Sequence, residues 1–126
     1  MSDHIDVLIL GARNEIAAVR SLSAAGFWRQ AHSRAYYAAF YAAEAALLAL
    51  GETRSKQSGV IAAFGRLVVK DGGFDRELGG TLSALFEGRN AADYDWLDTP
   101  EDLAADPAVE AERFVDAVEA WVAERR

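Results

Sequence analysis

The chain has 126 residues, no cysteine and a formal net charge of -7, from 13 Lys plus Arg against 20 Asp plus Glu. That size allows one folded domain over residues 1–126 and hardly a second, and the missing thiols exclude cysteine nucleophiles, thiolate zinc sites, iron–sulfur clusters and disulfides. The acidic balance argues against indiscriminate binding to phosphate backbones, the opening MSDHIDVLIL lacks the basic start of a signal peptide, and no apolar run reaches membrane-spanning length. A cytoplasmic protein without membrane contact is the expectation.

Apolar residues recur at three- and four-residue spacing almost throughout, and both prolines fall after residue 99. The class is therefore all-α. A first helix is expected from about Asp3 to Ala25, with Ile5, Leu8, Ala12, Ile16, Val19 and Leu22 as its buried stripe and Gly26 as its stop. A second runs on to Leu50 and Gly51; from Tyr36 onward it is apolar all round apart from Glu44, so it should be buried on several sides. A third spans about Gln57 to Lys70, with Val60, Ile61, Phe64, Leu67 and Val68 inward, and Asp71-Gly72-Gly73 breaks it. The fourth starts near Asp75, repeats Leu78, Leu82, Leu85 and Phe86, and ends near Ala92. An acidic loop with one short turn is expected from Asp93 to Asp106, and Asp106-Pro107 opens a last helix striped by Val109, Phe114, Val118, Trp121 and Val122.

Charge is divided along the chain. Residues 1–70 carry eight basic and five acidic side chains, residues 71–126 five and fifteen. The division fits either a basic cleft shielded by an acidic tail helix or ordinary solvated helix surface.

Arg89 is the most informative single residue, because the Leu78, Leu82, Leu85 stripe continued by four residues lands on it. A guanidinium stays ionised at ordinary pH, so it must be paired, line a cleft or lie at a subunit interface. Glu44 is the candidate partner for a buried pair. Tyr37, Tyr41 and Glu44 form one line along the second helix that could face Arg89, either as packing or as a platform for an unpaired base. His32, close to Arg34 and Tyr36, reads either as a substitute proton shuttle or as a half-exposed histidine at a polar helix start. The alternating acids after Asp93 lack the glycine and spacing of a calcium loop, and no phosphate-cradling loop is present. No metal and no cofactor are expected.

The run Arg89-Asn90-Ala91-Ala92-Asp93-Tyr94, the string Ser33-Arg34-Ala35-Tyr36-Tyr37-Ala38-Ala39-Phe40-Tyr41 and the Ser-Lys-x-Ser-Gly-Val-Ile-Ala-Ala-Phe-Gly start of the third helix together resemble a HEPN domain. The resemblance covers nearly the whole chain. It implies an up-and-down bundle of four to five helices, often a homodimer, with the arginine motif lining a cleft between subunits. Many members are RNA-cleaving toxins, and others act beside a minimal nucleotidyltransferase in toxin–antitoxin pairs.

The family's cleaving motif is an Arg, usually followed by a polar residue, with four to six residues in all before a His; Arg89 and Asn90 match its first half, but Tyr94, Asp95 and Trp96 stand where the His belongs. The start of the third helix, where relatives often carry a His, has Gln57 instead. Metal-independent cleavage needs a base, an acid and a cation, and losing a positioned acid or base typically costs about 10² to 10⁴ in rate. Arg89 supplies only the cation, and an unperturbed tyrosine pKa of about 10 suits Tyr94 poorly to proton transfer. The expectation is a binding or regulatory module for nucleotide or RNA that partners a nucleotidyltransferase. Its candidate site residues are Arg89, Asn90 and Tyr94, with His32 as the substitute, and Arg34, Tyr37, Tyr41, Glu44 and Asp93 as ligand contacts. Tyr94 is also the tyrosine that, by resemblance, nucleotide transfer would modify. The alternatives are an active endoribonuclease toxin with a non-standard proton shuttle and a helical interaction protein with no nucleic-acid role.

Overall fold

The computed structural model describes residues 2–94 and 106–126, with side chains over 4–88 and 106–126. Gly26 adopts the left-handed conformation (φ 84°), where a side chain would be strained, and the chain reverses there between α1 (Ser2–Ala24) and α2 (Trp28–Ala49). The two helices run antiparallel, with Gly11 against Tyr41 and Glu15 against Arg34. The α2 alanines Ala31, Ala35, Ala38, Ala39, Ala42, Ala43, Ala45 and Ala46 are all fully buried. Their small side chains let α1, α5 (Thr81–Tyr94) and α6 (Pro107–Ala123) pack around one central helix. The bundle is all-α among the described residues, as expected.

At the far end of α2, Gly51 (φ 75°) closes the helix while the Glu52 amide donates to the Leu47 carbonyl at 2.9 Å, a Schellman-type stop. α3 (Gln57–Ala63) follows, but the expected single helix to Lys70 changes its winding. Phe64–Lys70 is π-helical, and the Asp71 amide bonds five residues back to the Arg66 carbonyl at 3.0 Å. Phe64 is held there in a ring cluster with Phe74 and Phe114, at centroid separations of 5.4 to 5.9 Å.

The expected fourth helix is also divided, because Gly79 and Gly80 interrupt it. Asp75 caps the short α4 (Arg76–Gly79) by accepting from the Leu78 amide at 2.9 Å, and α5 starts afresh at Thr81 and runs to Tyr94. Residues 95–105 of the expected acidic loop lie outside the described residues. Asp106 caps α6 by accepting from the Ala108 amide at 2.9 Å, with Pro107 in the first helical position. Val109 does not belong to the α6 stripe: it is 53% exposed, and Ala111 and Val115 complete the buried side instead.

Part of the divided charge of the chain is paired across the surface between the first and last helices. Arg13 reaches Asp116 and Glu119 at 2.7 and 2.6 Å, Arg20 pairs with Glu112, and Arg126 reaches Asp6 at 2.7 Å, so α1 and the C-terminal segment are joined by ion pairs of both polarities. The hydrogen bond from Arg126 pulls the Asp6 carboxyl below its ordinary range.

The Gly72 carbonyl accepts from Trp121 Nε1 at 2.9 Å and from Arg125 Nη2 at 2.8 Å, and the Arg125 guanidinium lies 3.6 Å from the Trp121 ring. A Cβ on Gly72 would stand 2.6 Å from the Val68 carbonyl oxygen and 2.8 Å from Trp121, whereas one on Gly65 would meet nothing within 4 Å. Gly72→Ala is therefore expected to lower stability by about 1–3 kcal/mol, the usual range for overpacking, while Gly65→Ala leaves it unchanged or raised. Urea denaturation of the two variants side by side checks the contrast.

Candidate functional site

α5 runs antiparallel to α2, with the Phe86 ring 5.4 Å from Tyr36 and Gly88 beside His32. A Cβ built on Gly88 would lie 3.8 Å from His32 Nδ1. The backbone of Arg89–Tyr94 therefore continues α5 past the level of His32, at the start of α2. The side chains of Arg89, Asn90, Asp93 and Tyr94 lie outside the described residues.

His32 is not the half-exposed histidine that a polar helix start suggests. It is buried, 6% exposed, with its ring beside Gly88 of α5. One imidazole thus stands next to the residue that precedes Arg89.

Behind it, Tyr36 is fully buried and donates from its hydroxyl to Gln57 Oε1 at 2.9 Å, while Gln57 Nε2 approaches the Tyr37 hydroxyl at 3.5 Å. Gln57 links α3 to two tyrosines of α2. In the sequence, Gln57 stands out only where relatives carry a histidine, and Tyr36 only as a neighbour of His32. Tyr36 was legible, since it follows His32 at i+4; nothing in the local sequence signals Gln57.

The line Tyr37, Tyr41 and Glu44 exists but borders α1 rather than facing α5. Tyr41 Cδ2 lies 3.7 Å from where a Gly11 Cβ would be, and Tyr37 and Tyr41 are 6.2 Å apart at their ring centroids. Arg34 joins the same line, donating to Glu15 at 3.0 Å and lying 4.7 Å from the Tyr37 ring. Glu44 is twelve residues beyond His32, about 18 Å along α2 at the helical rise from where Gly88 of α5 meets that helix.

Glu44 instead lines a cavity of about 320 Å³ between α1, α2 and the turn into α3, with His4, Leu8, Leu47, Leu48, Glu52, Thr53, Arg54 and Val60. Burial pushes its carboxyl above the ordinary range. The charged and titratable groups around the same cavity are His4 from α1 and Glu52 and Arg54 from the turn. Because the unfolded chain ionises this carboxyl at lower pH than the folded one, its charge costs stability once pH rises through the carboxylate range. Glu44→Gln should melt higher than wild type at pH 7, with the difference fading below about pH 4. Thermal melts across that range test the sign. Tyr36→Phe, which removes the donor to Gln57, should cost about 1 kcal/mol by urea denaturation.

Comparison with known proteins adds to this geometry. The chain is 44% identical over 88 residues to a UPF0332 protein of Thermotoga maritima, covering 69% of this chain and 67% of that one. It is 34% identical over 116 residues to "Putative toxin MJ0605" of Methanocaldococcus jannaschii, covering 92% and 87%. A second protein of that archaeon, "Putative toxin MJ0142", is 33% identical over 91 residues, covering 72% and 62%. With the HEPN domain model matching residues 5–121, across all the helices that build this bundle, the chain belongs to the HEPN domain family.

Proposed function

We propose that this chain is a toxin-type HEPN module that binds RNA or a nucleotide where the Arg89-Asn90 end of α5 meets the start of α2. The observation that carries the reading is the motif itself: Arg89 and Asn90 directly follow Gly88, but Tyr94, Asp95 and Trp96 occupy the positions where the family's His would stand. A guanidinium beside a polar amide holds a phosphate, whereas strand cleavage also needs groups that give and take a proton. The module acts as a homodimer and is paired with a nucleotidyltransferase. The toxin names of the two archaeal relatives support a setting in which a second protein restrains such a chain.

One observation favours a second reading. The His32 ring lies against Gly88, so an imidazole from α2 stands beside the residue that precedes Arg89. In that case the chain is a metal-independent endoribonuclease with Arg89 as the cation and His32 as the proton shuttle.

The two readings part in one experiment. Purified wild type, Arg89→Ala and His32→Gln are incubated with an unstructured fluorescent RNA in EDTA, and anisotropy follows binding of the same RNA and of ATP. The binding module is expected to show no cleavage above the Arg89→Ala control, and a loss of at least tenfold in affinity for RNA or ATP in that variant. Cleavage that falls about 10² to 10⁴ in both variants would replace it with the nuclease. Equal binding by wild type and Arg89→Ala, without cleavage, would remove the nucleic-acid role.

A further inference from the structure

The cavity at the opposite end of α2 has a chemistry of its own. Leu8 of α1, Leu47 and Leu48 of α2 and Val60 of α3 form its apolar walls, and two carboxylates reach it. These carboxylates are not equivalent. Glu52 accepts from Arg54 Nη1 at 2.8 Å, and the same nitrogen donates to the Thr53 carbonyl at 2.8 Å, so the Glu52 charge is balanced within the turn. Glu44 has no ion pair or hydrogen bond among the described residues, and it shares the cavity with the apolar walls and with His4 of α1.

The cavity therefore presents one uncompensated negative charge on an apolar wall. An anionic ligand would meet the unpaired Glu44 carboxylate, and a neutral apolar one would leave Glu44 uncompensated. A cation on a short hydrocarbon stem satisfies both features. The volume of about 320 Å³ lies at the lower end of the range of small-molecule sites, which suits a stem of a few carbons.

We propose that this cavity binds a primary alkylammonium group, with its stem against Leu8, Leu47 and Leu48 and its charge on the Glu44 carboxylate. The chemistry is shared by a free aliphatic amine and by a lysine side chain of another polypeptide. The site lies about 18 Å along α2 from His32 and does not depend on what the Arg89 end does.

The test is methyl-resolved NMR of the full chain with four probes: n-pentylamine, Nα-acetyl-lysine N-methylamide, 1-pentanol and hexanoate. Saturable shifts of the Leu8, Leu47, Leu48 and Val60 methyls are expected with one or both amines, which are ammonium ions at pH 7. The amines should bind at least tenfold more tightly than 1-pentanol, with no shifts from hexanoate. The tighter of the two amines identifies the source. Glu44→Gln should weaken amine binding at least tenfold while leaving that of 1-pentanol unchanged.

Equal affinity for n-pentylamine and 1-pentanol, unchanged amine binding in Glu44→Gln, or no shift at these methyls would overturn the proposal. Should Glu44→Gln fail to fold, the titration of the Glu44 carboxyl carbon in wild type decides. Saturating amine should move its midpoint to lower pH, and an unmoved midpoint overturns the proposal.

Discussion

The bundle depends on how closely three helices can approach α2. Its alanines offer no bulk, so the neighbouring helices settle against its backbone, and the large apolar groups of the core meet in the spaces between. Ile16 and Val19 come from α1, Leu82 and Leu85 from α5, and Phe114 and Val118 from α6, all buried around α2. Such an interior is dense rather than voluminous. The two ends of α2 are correspondingly its least regular parts. Its start meets the end of α5 through His32 and Gly88, and its end opens into the cavity beside Glu44.

Electrostatics follow the same geometry. The basic first half and acidic second half of the chain look like separate surfaces when read in one dimension. In the fold, α1 and α6 run antiparallel, and Arg13 and Arg20 of the first half meet carboxylates of the second, while Arg126 returns a pair to Asp6. These are surface pairs of modest energetic weight. Their larger effect is on alignment, since each partner sits one or two turns from the next along both helices.

Helix spans were legible because period, caps and glycine stops agree: Gly26, Gly51, Asp75 and Asp106 all act as their residue types suggest. Two features were not legible. The π winding of Phe64–Lys70 depends on tertiary partners, Phe74 and Phe114, rather than on local propensity, and the apolar stripe of residues 60–68 reads as plain α-helix. The side of α2 that each neighbour covers also escaped, because a helix apolar all round carries no moment to orient it. That is why Tyr37, Tyr41 and Glu44 were correctly placed in one line yet directed at the wrong neighbour, and why the burial of His32 emerges only with Gly88 against it.

The π-helical segment also bears on how chains of this family can differ in length. Seven residues wound with five-residue hydrogen bonds hold one residue more than α-winding would need between the same two anchors, Ala63 on one side and Phe74 on the other. Removing a single residue there can restore ordinary helix without turning either flank. The same deletion inside α2 would rotate everything beyond it by about 100° and present a different face to every neighbour. Insertions and deletions of one residue between homologues should therefore gather at positions 64–70 and be absent from α2, which makes this stretch the natural place to admit a gap when distant relatives are aligned.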